Sequence, residues 1–358
     1  MKKVKIISVL GARPQFIKAA ALSHILRKKF KEIILHTGQH YDQEMSGAFF
    51  KELNIPCPDY YLGAGLTSRS SHVGLMLTRI EKVLLKEKPG LVLVYGDTNS
   101  TLAGALAAAR LNIPIAHVEA GLRSFRRDMP EEINRVLTDH LSSLLFCPTQ
   151  NAVNNLRKEG IVKGVHNVGD VMYDAVLFYS RQAENKSRIM ERFNLKNKNY
   201  FLATVHRAEN ADTKERLKKI ISILHKLDRH VLFPVHPRTR RAIKRWKLKI
   251  DARKISLLIP VGYLDMLVLE ANAKAILTDS GGIQKEAYFL HTPCLTLRNE
   301  TEWPETVKAG NNRLVGIDRH KAMSAIREFE NRKLKNEKGL FGSGGAGDSI
   351  LRVLEAAL

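Results

Sequence analysis

The stretch at residues 117–135 reads HVEAGLRSFRRDMPEEINR, and the rest of the chain can be interpreted outward from it. Glu119 follows an apolar run at residues 113–116, so it stands where a buried strand should end. Glu131 follows Pro130, a residue that favours the first turn of a helix. A strand, a short loop and a helix in this order predict a βα unit of a parallel sheet. Open sheets of this kind bind ligands at the carboxyl ends of their strands, so these carboxylates are candidates for chemistry.

The same alternation of apolar strands and helices continues on both sides of this unit. Strands are predicted at residues 4–10, 32–37, 91–95, 113–118 and 144–147, and, after the pattern restarts, at residues 201–205, 231–235, 255–261, 275–278, 294–297 and 314–317. Helices are predicted to begin at or near residues 14, 42, 71, 100, 131, 212, 263 and 282. The predicted fold class is α/β, with two Rossmann-like doubly wound domains facing a cleft, at residues 1–185 and 186–358. Whether the last helix packs on the second domain or back on the first is left open.

Composition is typical of an ordinary globular protein, with 358 residues of which 44% are hydrophobic. No uncharged apolar run approaches the roughly 20 residues that span a bilayer. The amino terminus is interpreted as a first strand rather than a signal peptide. The three cysteines, Cys57, Cys147 and Cys294, are isolated, which favours a reducing, cytoplasmic setting and offers no spacing for a metal site.

The net charge of +22 is large. One interpretation is a protein that binds nucleic acid or a membrane surface. The other is a solvated basic surface that steers an anionic small molecule. We favour the second, with no nucleic acid and no membrane as partner, because the chain is organised like an enzyme and has few aromatic residues. Residues 238–254 keep the first interpretation open, since they carry nine Lys or Arg residues and only one acid, Asp251.

Two motifs of the first half carry charged residues beside predicted strand ends. In GARPQFIKAA, at residues 11–20, a glycine turn leads into a helix, and Arg13 and Lys18 add positive charge to an end that suits an anion. In YGDTNST, at residues 95–101, Asp97 directly follows an apolar strand. A catalytic role for Asp97 and a role as helix cap are both open at this point.

Three motifs of the second half indicate an anionic ligand. His206 and His236 each end a predicted strand and each lies close to a following arginine. In LTDSGGIQKEA, at residues 277–287, Ser280, Gly281 and Gly282 would let the backbone approach a diphosphate at a helix amino terminus. Glu286 falls on that helix, within reach of a ribose. By contrast, Gly342, Gly344 and Gly347 match GxGxxG by spacing only, because no strand precedes them, and nothing supports a nicotinamide cofactor.

Taken together and in this order, the motifs resemble those of the non-hydrolysing UDP-N-acetylglucosamine 2-epimerases. The similarity covers nearly the whole chain and rests on GARPQFIKAA, GDTNST, HVEAGLR, MPEEINRVLTDH, HRAEN, HPRT, DSGGIQKEA and TEWPE. The resemblance implies the two-domain GT-B-type fold of nucleotide-sugar glycosyltransferases. It also implies a UDP-sugar substrate, no cofactor and a homodimer.

The resemblance assigns the catalytic groups by motif. Asp97, Glu119 and Glu131 would be the carboxylates around the sugar ring, and His206 would lie against the diphosphate or the sugar. Glu132 is interpreted instead as a residue at the positive end of the helix dipole. The implied reaction expels UDP from C1 while a base removes the C2 proton, and UDP then adds back with a proton from the opposite face. Which carboxylate makes which transfer stays open.

The resemblance likewise assigns the binding groups. Arg13 and Lys18 would meet the phosphates or the sugar, Ser280 with the two following glycines would hold the diphosphate, and Glu286 would bind the ribose. Two departures from the family pattern stand out, Trp303 in place of an arginine and Lys285 in place of a glutamate.

Other functions stay open beside UDP-N-acetylglucosamine 2-epimerisation. GARPQF and TEWPE also resemble the branch of the family that acts on UDP-2,3-diacetamido-2,3-dideoxyglucuronate. The stretch at residues 37–45 differs from members with a regulatory UDP-N-acetylglucosamine site. A glycosyltransferase of the same fold, a hydrolysing relative and a basic surface-binding protein are the remaining alternatives.

Overall fold

The computed structural model describes residues 3–39, 50–64, 69–331 and 339–358. The chain divides into two compact units, of which the first comprises Met1–Phe178 with Lys338–Leu358 and the second comprises Tyr179–Glu337. Residues 42–49 of the predicted second helix, and most of the stretch at residues 37–45, lie outside the described residues.

The first unit is built on a seven-stranded parallel sheet in the described part of the chain. Its strands are β1 (Lys5–Leu10), β2 (Lys31–His36), β3 (Tyr60–Tyr61), β4 (Leu91–Tyr95), β5 (Ile115–Val118), β6 (Leu144–Cys147) and β7 (Val165–Asn167), in the spatial order β3-β2-β1-β4-β5-β6-β7. Its helices are α1 (Arg13–Lys29), α2 (Arg69–Glu87), α3 (Asn99–Arg110), α4 (Pro130–Leu141) and α5 (Gln150–Lys158), and α6 (Val171–Lys186) begins in this unit and ends in the second. β1 and β4 are almost wholly buried, as expected for continuous apolar strands in the centre of a parallel sheet.

The second unit repeats this architecture on a parallel sheet with six strands among the residues that the structure describes. Its strands are β8 (Tyr200–Thr204), β9 (His230–Pro234), β10 (Ile255–Leu258), β11 (Ala275–Thr278), β12 (Cys294–Thr296) and β13 (Asn312–Leu314), in the order β10-β9-β8-β11-β12-β13. Its helices are α7 (Ile189–Arg192), α8 (Ala208–Ala211), α9 (Lys214–His225), α10 (Pro237–Arg245), α11 (Tyr263–Asn272), α12 (Gly281–Phe289), α13 (Pro304–Lys308) and α14 (Arg319–Glu330). The predicted α/β class with two doubly wound units is confirmed.

Each sheet has one point where the chain reverses its direction of travel across the strands. This point lies between β1 and β4 in the first sheet and between β8 and β11 in the second. The segments that leave these four strands begin at residues 11, 96, 205 and 279, and all four carry predicted site residues. Doubly wound sheets bind ligands at the carboxyl ends of the strands beside such a point. The topology therefore brings the predicted motifs to the expected edge of each sheet.

The last strand of the second sheet lies earlier than predicted. It covers Asn312–Leu314 instead of residues 314–317. Gly316 has a φ of 55° and Asp318 caps α14 by accepting the Lys321 N–H at 3.0 Å, so the extended chain ends before residue 317. The start of the strand was not predicted because Asn312 is polar. Its side chain is nevertheless buried, and its Oδ1 accepts a hydrogen bond from Thr296 Oγ1 at 2.8 Å.

The final helix, α15 (Ala346–Ala357), belongs to the first unit. Two N–H groups at the start of this helix are bound within the protein. The carboxylate of Asp174 accepts the N–H groups of Gly345, which precedes the helix, and of Gly347, in its first turn, both at 2.8 Å. These backbone donors therefore fasten α15 to α6.

Candidate active site

Asp97 follows β4 and is held by helix α4. It is not the cap of α3, because Thr98 is the N-cap and its hydroxyl accepts the Thr101 N–H at 3.3 Å. The carboxylate of Asp97 instead forms an ion pair with the guanidinium of Arg135. The carbonyl of Asp97 accepts a hydrogen bond from Asn134 Nδ2 at 2.9 Å. Helix α4 thus positions Asp97 through both its side chain and its main chain.

Glu119 follows β5 with a strained backbone, since its φ of 74° is uncommon for any residue other than glycine. Its N–H donates to the Phe146 carbonyl at 3.0 Å, which fastens the turn to β6. Its carboxylate is nearly buried and pairs with Lys18 of α1. Glu119 Oε2 lies 3.1 Å from the position of a Cβ built on Gly96, so it stands beside the segment that carries Asp97. Strain of this kind is frequent at functional sites.

At the start of α1, two backbone donors that precede the helix are bound within the protein. The N–H groups of Gly11 and Ala12 are already bound, because Gln15 Oε1 accepts them at 2.8 and 3.0 Å. Lys18 lies one turn further on and reaches the carboxylate of Glu119. Arg13 is half-buried at the first residue of the helix. The position of Gln15, three residues after the N-cap, is the sequence signal for this local bonding, and it was missed.

Glu131 and Glu132 both lie in the first turn of α4, but their surroundings differ. Glu131 is half-buried, whereas Glu132 is buried. The carboxylate of Glu132 accepts the N–H groups of Ser124 and Phe125, both at 2.8 Å, and pairs with Arg135 at 2.7 Å. Glu132 therefore fastens the basic loop at residues 123–127 to α4. This role is additional to the position at the positive end of the helix dipole that the sequence predicts for Glu132.

His117 lies fully buried beneath these carboxylates and links two elements. Its Nδ1 is 2.7 Å from Asp139 Oδ1, and its Nε2 is 2.7 Å from the Gly96 carbonyl oxygen. Burial acts to raise the pKa of Asp139, but the hydrogen bonds and charges of His117 and Arg123 outweigh it, so the pKa is lowered. Each ring nitrogen therefore has an oxygen partner, the Asp139 carboxylate on one side and the Gly96 carbonyl on the other. His117 thereby anchors the turn before Asp97, a role that sequence analysis did not assign.

A small cavity adjoins Glu119 and Lys18, and its lining includes Asp170. Asp170 is buried after β7, and its Oδ1 accepts the Met172 N–H at 2.7 Å at the start of α6. Asp170 is therefore a further carboxylate beside the candidate site. Sequence analysis missed it, although a polar residue between a short strand and a helix was the available signal.

In the second unit, Asp279 organises the segment after β8. Its buried carboxylate accepts the N–H groups of His206 and Arg207 at 3.0 and 3.1 Å, and also Asn210 Nδ2 at 3.0 Å. The His206 side chain remains 38% exposed, so the imidazole is accessible to a ligand. The ring of His236, which caps α10, lies 5.7 Å from that of His206. The structure thus brings the two strand-end histidines close together.

The Ser280–Gly282 loop opens helix α12. Ser280 is the N-cap, and its hydroxyl accepts the Ile283 N–H at 3.5 Å. A Cβ on Gly281 would stand 3.3 Å from Trp303 Nε1, whereas a Cβ on Gly282 would meet nothing closer than Ser280 Oγ at 3.8 Å. Packing within the protein therefore restricts position 281 but leaves open space at position 282. Open space at the positive end of a helix is suited to an anion.

The two residues that depart from the family pattern contact each other behind this loop. Lys285 and Trp303 are both buried, and Lys285 Nζ lies 4.0 Å from the centroid of the Trp303 ring system. A cation–π contact of this kind is worth about 2 kcal/mol when it is desolvated. The lysine therefore helps to hold the indole that packs against Gly281.

Glu286 lies one residue further along α12 and is also buried. Its carboxylate is hydrogen-bonded to the hydroxyl of Tyr263. Burial, together with the charges of Glu286 and Glu270, raises the pKa of Tyr263 well above its usual range, so this hydroxyl is a donor. Tyr263 therefore fixes the orientation of Glu286.

Three expectations about partners concern wider features of the chain. No group of three or more His, Cys, Asp or Glu side chains in the described ranges is arranged to hold a metal ion. Within the same ranges, every helix is too short or too polar to cross a bilayer. The basic segment at residues 238–254 forms α10 and the approach to β10, where Arg238 lies 3.6 Å from Asp212 and Arg253 lies 3.1 Å from Asp251. The absence of a nucleic-acid partner stays a prediction.

Comparison with known proteins gives one consistent family. The family model for UDP-N-acetylglucosamine 2-epimerase matches residues 24–355. A UDP-N-acetylglucosamine 2-epimerase homolog from Methanococcus maripaludis is 56% identical, over 98% of this chain and 99% of its own. The UDP-2,3-diacetamido-2,3-dideoxy-D-glucuronate 2-epimerase of Pseudomonas aeruginosa is 47% identical over the same shares, 98% and 99%.

A solved structure shows the same similarity in three dimensions. The crystal structure of the Methanocaldococcus jannaschii UDP-GlcNAc 2-epimerase, in complex with UDP-GlcNAc and UDP, has a TM-score of 0.93 and 48% identity, and the match covers 98% of this chain and 99% of that one. Family model, relatives and structure agree over nearly the full length. The chain therefore belongs to the UDP-N-acetylglucosamine 2-epimerase family.

Proposed function

We propose that this protein is a non-hydrolysing 2-epimerase that interconverts UDP-GlcNAc and UDP-ManNAc. The observation that carries the proposal is the placement of Asp97 and Glu119 after neighbouring parallel strands, each paired with its own cation. Membership of the family and the similarity to an enzyme crystallised with UDP-GlcNAc and UDP support the choice of substrate.

The chemistry explains why carboxylates are needed. The C2 proton of N-acetylglucosamine is not adjacent to a carbonyl, so simple removal and return of this proton is too slow. In the proposed route a base takes the C2 proton, the C–H electron pair forms a C1=C2 double bond, and the C1–O bond breaks with UDP as the leaving group. UDP then adds back to the 2-acetamidoglucal, and an acid delivers a proton to the opposite face of C2. This route requires two proton-transfer groups and cationic stabilisation of the diphosphate.

The first unit would supply the proton-transfer groups. Asp97, Glu119 and Glu131 are the candidates, and the carboxylate of Glu119 is paired with Lys18 in the state described here. On binding of the substrate, Lys18 and Arg13 are the cations of this unit that would meet the phosphates or the sugar. No redox cofactor or metal is required by this route.

The second unit would bind the UDP moiety. The open space at Gly282 lies at the amino terminus of α12, where a diphosphate would gain from the helix dipole and the backbone N–H groups. His206 would lie against the diphosphate or the sugar, since its side chain is partly exposed. Glu286, oriented by Tyr263, would accept hydrogen bonds from the ribose hydroxyls.

Gly282→Ala is expected to weaken UDP binding at least tenfold, or about 1.4 kcal/mol, because the added methyl group would occupy the space assigned to the diphosphate. The free energy of unfolding should change by less than about 0.5 kcal/mol, since no protein atom is crowded. Calorimetric titration with UDP and urea unfolding measure the two quantities.

Gly74→Ala in α2 is the matched control, because a Cβ there would meet no atom within 4 Å and would likewise crowd nothing. It should leave UDP binding unchanged and stabilise the helix by about 0.5–1 kcal/mol. Unaltered UDP affinity in Gly282→Ala would contradict the assignment of the diphosphate to this loop.

A second candidate substrate is favoured by one specific observation. The Pseudomonas aeruginosa relative, 47% identical, acts on UDP-2,3-diacetamido-2,3-dideoxy-D-glucuronate according to its name. The reaction would be the same, because only the substituents at C3 and C6 of the sugar differ.

The proposed function is tested by incubating the purified protein with each UDP-sugar separately and following the products by NMR. Formation of an equilibrium mixture of UDP-GlcNAc and UDP-ManNAc is expected. Conversion of the diacetamido-uronate alone would assign the protein to the second candidate. Free N-acetylmannosamine as the main product would indicate a hydrolysing enzyme, and transfer of the sugar to an added acceptor would indicate a glycosyltransferase.

We also infer a homodimer, from the resemblance to the family, and a cytoplasmic setting, from the three isolated cysteines. Light scattering should then give twice the mass of one chain. A monomer at micromolar concentration would contradict the first inference.

A further inference from the structure

Arg135 is one of the largest fully buried side chains in the described part of the protein. Its two terminal nitrogens reach two different carboxylates. Nη2 pairs with Oδ2 of Asp97, and Nη1 donates to Oε2 of Glu132 at 2.7 Å. A guanidinium is planar, so these two contacts fix the plane of the group and with it the direction of the Asp97 carboxylate.

Glu132 is itself held in place by the loop before α4. Its carboxylate accepts the N–H groups of Ser124 and Phe125, both at 2.8 Å, and the Ser124 hydroxyl at 2.9 Å. Phe125 has a φ of 60°, so the loop adopts a conformation that turns these two N–H groups toward the one carboxylate. The loop is therefore bonded to Glu132, Glu132 to Arg135, and Arg135 to Asp97. Each of these links is a hydrogen bond that involves a charged group.

We propose that Arg135, oriented by Glu132, is a positioning residue that keeps the carboxylate of Asp97 ionised and correctly aimed for proton transfer. This proposal rests on the proposed function, in which Asp97 exchanges a proton with the sugar. Arg135 acts only through Asp97 and is not assigned any contact with the substrate.

The charges around Asp97 determine what loss of Arg135 would do. Arg135 approaches from α4, and the Glu119–Lys18 pair lies across Gly96, from β5 and α1. The guanidinium of Arg135 is paired directly with the carboxylate of Asp97. Removal of Arg135 takes away this positive charge and leaves the carboxylate of Asp97 near that of Glu119. Both changes favour the protonated form of Asp97.

The first arm of the test measures the ionisation of Asp97 without any turnover. The protein is labelled with ¹³C at the aspartate carboxyl carbons, and the Asp97 signal is identified by its loss in Asp97→Asn. In Arg135→Met the midpoint of its titration should rise by at least about one pH unit, as expected for loss of an adjacent cation. Arg27→Met is the matched control, because Arg27 pairs with the buried Glu32 at 3.0 Å elsewhere in the same unit, and it should leave the Asp97 midpoint unchanged.

The second arm measures turnover of UDP-GlcNAc. Arg135→Met should lower kcat by about 10²-fold with little change in KM, because misplacing one catalytic group costs about this much. The acidic limb of the pH profile should move to higher pH, and Arg135→Lys should recover part of the loss. In the Asp97→Asn background the same substitution should have little further effect.

The two arms separate failure of this proposal from failure of the proposed function. If the wild-type protein epimerises no UDP-sugar but the Asp97 midpoint rises in Arg135→Met, the function is wrong and the electrostatic role of Arg135 stands. An unchanged midpoint in a folded Arg135→Met protein overturns the proposal. If Arg135→Met does not fold, Glu132→Gln serves instead, since it leaves the arginine in place but removes the charge that orients it. A wild-type titration curve and wild-type kcat in Glu132→Gln would equally overturn it.

Discussion

Glu119→Gln is expected to lower kcat by about 10³-fold, within the range of 10²–10⁴ that a positioned acid or base contributes. The amide cannot exchange a proton with C2, while its shape and its place beside Gly96 are preserved. Affinity for UDP should stay the same or increase, because Lys18 loses its carboxylate partner and becomes available to phosphate. Turnover by NMR and calorimetric titration with UDP separate these two effects.

Glu87→Gln is the matched control for this substitution. Glu87 also pairs with a lysine, Lys5, at 3.0 Å, but this pair lies at the amino end of β1, away from the edge where the motifs gather. Its replacement should leave kcat unchanged. A Glu119→Gln enzyme with more than a tenth of wild-type kcat would contradict the assignment of Glu119 to proton transfer.

Asp139→Asn is expected to destabilise the first unit by about 3–5 kcal/mol, the usual effect of removing one partner from a buried charge pair. The substitution leaves His117 and Arg123, both buried, without the carboxylate that they share. Urea unfolding followed by circular dichroism measures the loss. Asp128→Asn is the comparison, because it removes the carboxylate from an exposed ion pair with Arg126. It should lower the free energy of unfolding by no more than about 1 kcal/mol.

The same substitution should change how stability depends on pH. The pKa of Asp139 is lowered in the folded protein, so its stabilising contribution is present above the unfolded value of about 3.9 and is lost as the pH falls through the folded value. Asp139→Asn should therefore unfold with a weaker dependence on pH in the acidic range. An unchanged acid transition would contradict the ion-pair network around His117.

The positions of the catalytic candidates could be predicted from sequence because local signals mark them. Asp97 and Glu119 each follow a short apolar strand, and Ser280 precedes two glycines and a helix. These signals extend over a few neighbouring residues, and parallel topology then brings the strand ends to one edge. The fold class and the turns that carry the motifs could therefore be predicted. The predicted position of β13 was wrong because this strand contains buried polar residues.

The partners of these residues could not be predicted, because contacts between side chains cross long stretches of chain. Lys18 and Glu119 are 101 positions apart, and Arg135 is 38 positions from Asp97. The resemblance assigns Lys18 to the phosphates or the sugar, and its pairing with the carboxylate of Glu119 became visible only in the structure. Trp303 and Lys285 were noted separately as departures from the family, and only their packing shows that they form one contact.

Solvent deuterium at C2 is the most direct measure of the central claim. The protein is incubated with UDP-GlcNAc in deuterium oxide, and the sugar protons of substrate and product are followed by NMR. The proposed elimination and re-addition predicts UDP-ManNAc that carries deuterium at C2, deuterium entering the recovered UDP-GlcNAc, and traces of UDP with 2-acetamidoglucal. UDP-ManNAc that retains the original C2 proton, or no exchange and no product at all, would contradict the account.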